Sequence, residues 1–383
     1  MRILFLNYAK QLFQPKNEAI GDEYNRMKSY SEFIEKLDII VFTPNCDYKA
    51  FKINEKISVI PTNGSGKLFS FLKMIILSSK ICKENNIDLI QTQESYFTGL
   101  LGLYLKIIYG CKLISTAYGA DIYDKNWVKE NIIRHLLRII SRIVMKNSDI
   151  IQVDGTKTEN NLMKHGFTKE KVYKKIVVPS EINSFITYNI VNAKENIYEN
   201  KYKQIILFIG RIEKQKNVMG LISVMPDIIE NIDNVLLVII GEGREKPNVE
   251  KYVKNLKIEE NVKFINNVPF EELPKYYSAS DVFVLPSNYE GFARVLMLAA
   301  LSAKPIVSTD VSGAKDIIED GKSGYIVDVG DMESFKNRVI ELLKDKDKCL
   351  LFGKNIKDNA LKLFDYNNMI KKQIEIWETT YRN

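Results

Sequence analysis

Short apolar runs, each followed by a helical stretch, recur through this chain in two separate series, and that alternation narrows the fold most. Strands that alternate with helical stretches of about ten residues or more build parallel βαβ units, because parallel neighbours need a long crossover. The first series reads as strands at Arg2–Leu6, Ile39–Thr43, Ile57–Pro61, Asp88–Gln91, Lys112–Thr116 and Asp149–Val153. Helical patterns lie between them, at Leu68–Cys82, Gly99–Ile108 and Asn126–Met145. A polar stretch without sustained periodicity then interrupts the pattern. The second series places strands at Ile205–Ile209, Val235–Ile240, Val262–Ile265, Val282–Leu285, Pro305–Ser308 and Tyr325–Val327. Their starts fall roughly 20–30 residues apart, the length of one βαβ repeat. The expected fold is therefore α/β, with two Rossmann-like, doubly wound parallel-sheet domains. Residues 1–180 form the first, 181–203 the linker and 204–365 the second, and a closing helix spans 366–383.

Charge separates the halves. Residues 1–200 hold 28 Lys/Arg against 21 Asp/Glu, whereas residues 201–383 hold 27 of each, so the whole net charge of +7 sits in the first half. Such an excess points to an anionic partner, a membrane surface or a phosphorylated acceptor. No basic stripe interleaved with aromatics argues for nucleic acid. The first fifteen residues carry no signal-peptide pattern, and no apolar run approaches the length of a spanning helix. The four cysteines, Cys46, Cys82, Cys111 and Cys349, form no CxxC and read as reduced core thiols in a cytosolic setting.

Asp281–Ala303 concentrates the chemistry: strand Val282–Leu285, then Pro286, the polar turn Ser287-Asn288-Tyr289-Glu290-Gly291, and a helical run from Phe292. Free amides at such a helix start (Gly291, Phe292 and Ala293) make an anion site, and Glu290 at its lip can accept hydrogen bonds from a polyol. Gly210-Arg211 ends another strand, and Lys216 lies five residues on. At the carboxyl ends of parallel strands, these two cations can neutralise a diphosphate without a metal, Arg as a fork and Lys as a point charge. The one DxD string, Asp345-Lys346-Asp347, lies in a Lys-rich segment and reads as a solvated helix end. His135 and His165 are the only histidines, so neither a His-based metal cluster nor a triad is expected.

Three segments, LFIGRIEKQKN, FINNVPFEELPKYYSASDVFVLPS and PSNYEGFARVLMLAALSAKPIVSTDVSGAKDIIEDGKSGYIV, resemble the retaining nucleotide-sugar glycosyltransferases of family 4, group 1. The likeness covers most of the C-terminal half and is looser before it. It implies the GT-B fold, two such domains facing across a cleft, with the acceptor on the first and the donor on the second. It also implies that the last helix crosses back to the first domain. In the family, Arg and Lys at this spacing grip the donor diphosphate, so Arg211 and Lys216 take that role here. Glu290 is carried over as the leading catalytic residue. Gly210, Gly241 and Gly243 fall near the nucleotide, as do Asn267 and Val268 after a third strand, and Gly21 belongs to a loop of the first domain. The only cofactor-like molecule implied is the nucleotide diphosphate sugar substrate, with no metal.

Two positions depart from that pattern. Leu298 stands where the family has a second glutamate eight residues after Glu290, the one that hydrogen-bonds the ribose. Tyr118, before Gly119-Ala120-Asp121, replaces a histidine that touches the donor sugar, so Tyr118 and Asp121 are carried over as catalytic candidates. Asn126–Met145 reads as a basic amphipathic helix, able to lie on an anionic bilayer at the inner face of a cell membrane; its plainer alternative is a core helix with a solvated charged face. The function expected is hexosyl transfer to a glycan or lipid-linked acceptor in surface polysaccharide or glycolipid synthesis. The alternatives are a nucleotide-sugar epimerase on the same fold, or a degenerate binding subunit.

Overall fold

A computed structural model describes residues 1–13, 22–118, 125–129, 131–188, 197 and 202–382. The chain divides into two compact units, Met1–Ser180 with Tyr366–Asn383, and Glu181–Asp365.

Unit 1 is built on an eight-stranded sheet. Its strands are β1 Arg2–Asn7, β2 Lys36–Val41, β3 Phe51–Asn54, β4 Ile57–Pro61, β5 Leu89–Thr92, β6 Lys112–Ala117, β7 Ile150–Val153 and β8 Val172–Lys174. They lie in the order β3-β4-β2-β1-β5-β6-β7-β8, parallel throughout except for the antiparallel pair β3–β4. The two strands absent from the sequence reading, β3 and β8, are edge strands of four and three residues, too short to show a period. The closing helix Tyr366–Arg382 is held in this unit: Trp377 Nε1 donates to buried Gln91 Oε1 at 2.6 Å, and the Trp377 ring packs edge-on against Tyr30.

Unit 2 has six parallel strands: β9 Gln204–Ile209, β10 Val235–Ile240, β11 Val262–Ile265, β12 Val282–Leu285, β13 Ile306–Thr309 and β14 Gly324–Val327. The order is β11-β10-β9-β12-β13-β14. Every residue of β10 and β12 is buried, as continuous apolar strands covered on both faces should be.

Two expectations change. Residues 183–187 of the expected linker form a helix whose Phe185 is buried against Phe270 and Tyr277 inside unit 2, so one aromatic docks an otherwise polar segment. The expected single helix Asn126–Met145 is two, Lys125–Lys129 and Ile133–Asn147. Arg134 is turned inward across that break, stacked on Trp127 at 4.8 Å and donating to its carbonyl oxygen.

Candidate functional site

In unit 2 the chain leaves β9 toward β10 on one side of the sheet, and β12 lies on the other. The loops after β9 and β12 therefore diverge and open a crevice at the switch point, where open α/β sheets receive ligands. Gly210 and Arg211 follow β9 directly. A tight turn, Lys214–Lys216, comes next, and Asn217 takes the left-handed conformation (φ 51°) that lets a new helix start at Val218. After β12, Pro286 cannot donate to the ladder, and Ser287 leads into the turn carrying Glu290.

Hydrogen bonds zip the two loops together. Asn288 N donates to the Gln215 carbonyl at 2.8 Å, Asn288 Nδ2 to the Lys214 carbonyl at 3.0 Å, and Gln215 Nε2 to the Tyr289 carbonyl at 3.0 Å. Thr309, from β13, donates to the Ser287 carbonyl at 2.6 Å and pins the start of the turn. Lys216 Nζ then lies 2.5 Å from Glu290 Oε1, both side chains nearly enclosed, at 12% and 7% exposure. Ser287 Oγ donates to the same oxygen at 2.7 Å, and Gln215 Nε2 approaches Oε2 at 3.4 Å.

This corrects the picture of two free cations, since one of them is spent on the carboxylate. Lys216 and Glu290 neutralise one another, and the extra donors make a buried pair tolerable. Lysine has three N–H groups, so two remain for an oxyanion. Arg211 is exposed and touches only Gln215 Oε1, at 3.4 Å, so its guanidinium charge is uncompensated among the described residues.

The expected trio of free amides is also reduced. The helix begins at Arg294, not Phe292, and the Ala293 amide donates to the Ser312 carbonyl at 3.3 Å. Gly291 and Phe292 keep amides without a protein acceptor among the described residues. Beside them the buried Ser312 hydroxyl has no hydrogen-bond partner among the described residues, an unused polar group of the kind a ligand can satisfy.

Gly241 and Gly243 serve close packing. A Cβ on Gly241, at φ 146°, would lie 2.1 Å from the Gly210 carbonyl oxygen, and one on Gly243 would lie 2.2 Å from that of Ile212. The β10 loop thus supports the β9 loop from behind. Gly210 itself has room for a Cβ and runs alongside the Lys216 stem. Asn267 is exposed and Val268 half-buried after β11, while neighbouring Asn266 accepts from Lys246 at 2.7 Å. Leu298 is buried in the helix core and offers no polar group. The Asp345-Lys346-Asp347 string is a helix start, where the Asp345 carboxylate caps the Lys348 amide at 2.9 Å.

Unit 1 has its own switch point, between β1 and β5. A cavity of about 600 Å³ opens there, lined by Tyr8, Phe42, Phe71, Glu94, Phe97 and Tyr118 among others. Glu94 is buried and accepts from the amides of Tyr96 (2.6 Å), Phe97 (3.0 Å) and Thr98, capping the helix Phe97–Tyr109. Tyr8 OH donates to it at 3.2 Å. Burial holds the Glu94 carboxyl above the usual range, against the pull of those amides, and pushes the Tyr8 phenol up as well. Tyr118, half-buried just past β6, therefore joins Tyr8 and Glu94. Gly21 and Asp121 lie outside the described residues.

Sequence reasoning missed Ser287, Gln215 and Ser312 in unit 2, and Tyr8 and Glu94 in unit 1. Only Ser287 had a signal, the S-x-x-E spacing to Glu290. The others depend on which strand ends lie side by side.

Known proteins match both parts of the chain. The family model described as glycosyl transferases group 1 matches residues 190–359, and one described as glycosyl transferase 4-like matches residues 20–148. An uncharacterised glycosyltransferase of Methanocaldococcus jannaschii is 24% identical over 94% of both chains. The capsular polysaccharide biosynthesis glycosyltransferase CapM of Staphylococcus aureus is 26% identical over 92% of this chain and 91% of its own. Among solved structures, Anabaena HepE in complex with UDP superposes with a TM-score of 0.75 at 18% identity, covering 99% of this chain and all of that one.

Proposed function

We propose how this glycosyltransferase of GT-B fold, whose residues 190–359 match the group 1 family model, handles its donor. Unit 2 binds a nucleotide diphosphate sugar at the β9/β12 crevice. The acceptor, a glycan or lipid-linked saccharide, belongs to unit 1. The observation that carries this reading is the enclosed Lys216–Glu290 pair beside uncompensated Arg211, at the switch point of a parallel sheet. The chemistry of that set suits a diphosphate leaving group. Arg211 offers a fork to one phosphate, Lys216 two spare N–H groups, and Gly291 and Phe292 their amides. Glu290, fixed by Lys216 and Ser287, presents a rigid acceptor to sugar hydroxyls.

In the reaction the bond from the anomeric carbon to the phosphate oxygen breaks, and a bond to the acceptor oxygen forms. The acceptor's proton leaves on the departing diphosphate, whose charge is stabilised by groups already in place. Attack on the face that the leaving group vacates retains the anomeric configuration, and the cations of the crevice let the step proceed without a metal. UDP in HepE and the capsular role in CapM's name support a uridine donor and a surface polysaccharide or glycolipid product. A transfer assay with UDP-sugars tests this. Arg211→Ala should lower kcat/KM about a hundredfold, with a retained anomeric centre by NMR and no effect of EDTA. Isomerisation of the donor without an acceptor would overturn the reading in favour of an epimerase.

A further inference from the structure

Three helices of unit 1 pack side by side: Gly66–Asn85 against Phe97–Tyr109, and Phe97–Tyr109 against Ile133–Asn147. Each buries one face and leaves another apolar face in solvent. Leu68 and Leu72 stand out on the first, Leu100 and Ile107 on the second, and Leu136 and Ile139 on the third, from 45% to 72% exposed. Fourteen of the twenty-one large apolar side chains exposed among the described residues lie on or beside these helices, so this is a patch and not scatter. An ordinary amphipathic helix hides its isoleucines; Ile133–Asn147 buries instead Ser141, Val144 and Met145.

Charge says what covers the patch. The three helices carry nine Lys/Arg against the single acidic residue Glu84; Lys106 is paired with Asp149 and Arg134 turns inward onto Trp127, which leaves seven. On the third helix Arg138, Arg142 and Lys146 form an exposed row beside the apolar one, with no carboxylate in ion-pair range among the described residues. Lys73, Lys80 and Lys83 are exposed on the first helix. A second copy seated symmetrically would set these cations against themselves. An anionic bilayer takes both features at once, the apolar rows into the acyl boundary and the cations onto headgroups. The patch also runs into the unit 1 cavity, because exposed Leu68 and Phe97 line both.

We propose that unit 1 docks on an anionic lipid bilayer through this three-helix face, with its cavity opening at the membrane surface to a lipid-linked acceptor. The second clause rests on the reading that unit 1 takes the acceptor; the docking itself does not. The test is flotation of the full chain with phosphatidylglycerol/phosphatidylcholine vesicles against phosphatidylcholine alone, at low salt. The wild type should float with the anionic vesicles only. Arg138→Gln with Arg142→Gln and Lys146→Gln should weaken partitioning about a hundredfold, from roughly fivefold per cation, and Leu72→Ser with Leu136→Ser should abolish it. UDP-induced thermal stabilisation, read separately at unit 2, should be unchanged in both variants, which separates a lost surface from a lost fold or a lost donor site. No flotation of the wild type, equal flotation with neutral vesicles, or a dimer that the same substitutions dissociate would each overturn the proposal.

Discussion

The two units use the same device for opposite chemistries. Each is a parallel sheet whose strand order reverses beside its first strand, at β1/β5 in unit 1 and β9/β12 in unit 2, and each opens a crevice there. In unit 2 the strand ends bring ions together: Arg211, Lys216 and Glu290. In unit 1 they bring aromatics, Tyr8, Phe42 and Phe97, around one carboxyl that is fully used in capping a helix. Sheet topology decides where a ligand goes. The few residues after each strand decide what kind of ligand it is.

The contrast can be broken most sharply at Lys216. Lys216→Met keeps the stem but removes the charge, stranding a buried carboxylate. Stability should fall by about 3 kcal/mol and kcat/KM by about a thousandfold; urea denaturation and steady-state kinetics read the two. Gly241→Ala attacks the support of the same crevice, since its Cβ would meet the Gly210 carbonyl. Unfolding should cost about 2–3 kcal/mol less than in the wild type, with UDP affinity falling alongside. Glu94→Ala should act on the other unit alone. Loss of the cap costs about 1–2 kcal/mol, and the acceptor KM should rise while the UDP Kd holds.

The smallest effect is in pH. The Glu94 carboxyl is raised by burial in the folded chain, so the folded state holds its proton more tightly than the unfolded one. Its contribution is therefore present below the unfolded carboxyl range and is lost as pH rises through the folded value. Glu341 in unit 2 has the opposite sign. Partial burial works against ionisation there, but hydrogen bonds from Lys348, Tyr325 and Arg338 bring its pKa down to about 2. That contribution is present above the unfolded value and is lost as pH falls toward about 2. Urea titrations of Glu94→Gln and Glu341→Gln across pH should show slopes of opposite sign relative to the wild type.

Sequence carried much of the fold and part of the site. Strands such as Val235–Ile240 and Val282–Leu285 were legible to the residue because fully buried strands are unbroken apolar runs. Edge strands β3 and β8 were not, being short and half-exposed. Motif, spacing and resemblance singled out Arg211, Lys216 and Glu290, but not the ion pair that two of them form, since 74 residues separate Lys216 from its carboxylate. The Ala293 amide was misjudged for a similar reason: its acceptor, Ser312, comes from the loop after β13. The isoleucines of Ile133–Asn147 showed amphipathicity, whereas their exposure depends on which face the neighbouring helix covers.

On the proposed reading, the ion-paired crevice of unit 2 holds the donor diphosphate. Calorimetric titration of UDP into the wild type and into Arg211→Ala tests it most directly, because Arg211 is exposed and its loss leaves the fold alone. A charge-assisted hydrogen bond contributes about 1.5–3 kcal/mol, so the variant should bind UDP roughly tenfold to a hundredfold more weakly than the wild type. Equal affinity in the two proteins would contradict the account.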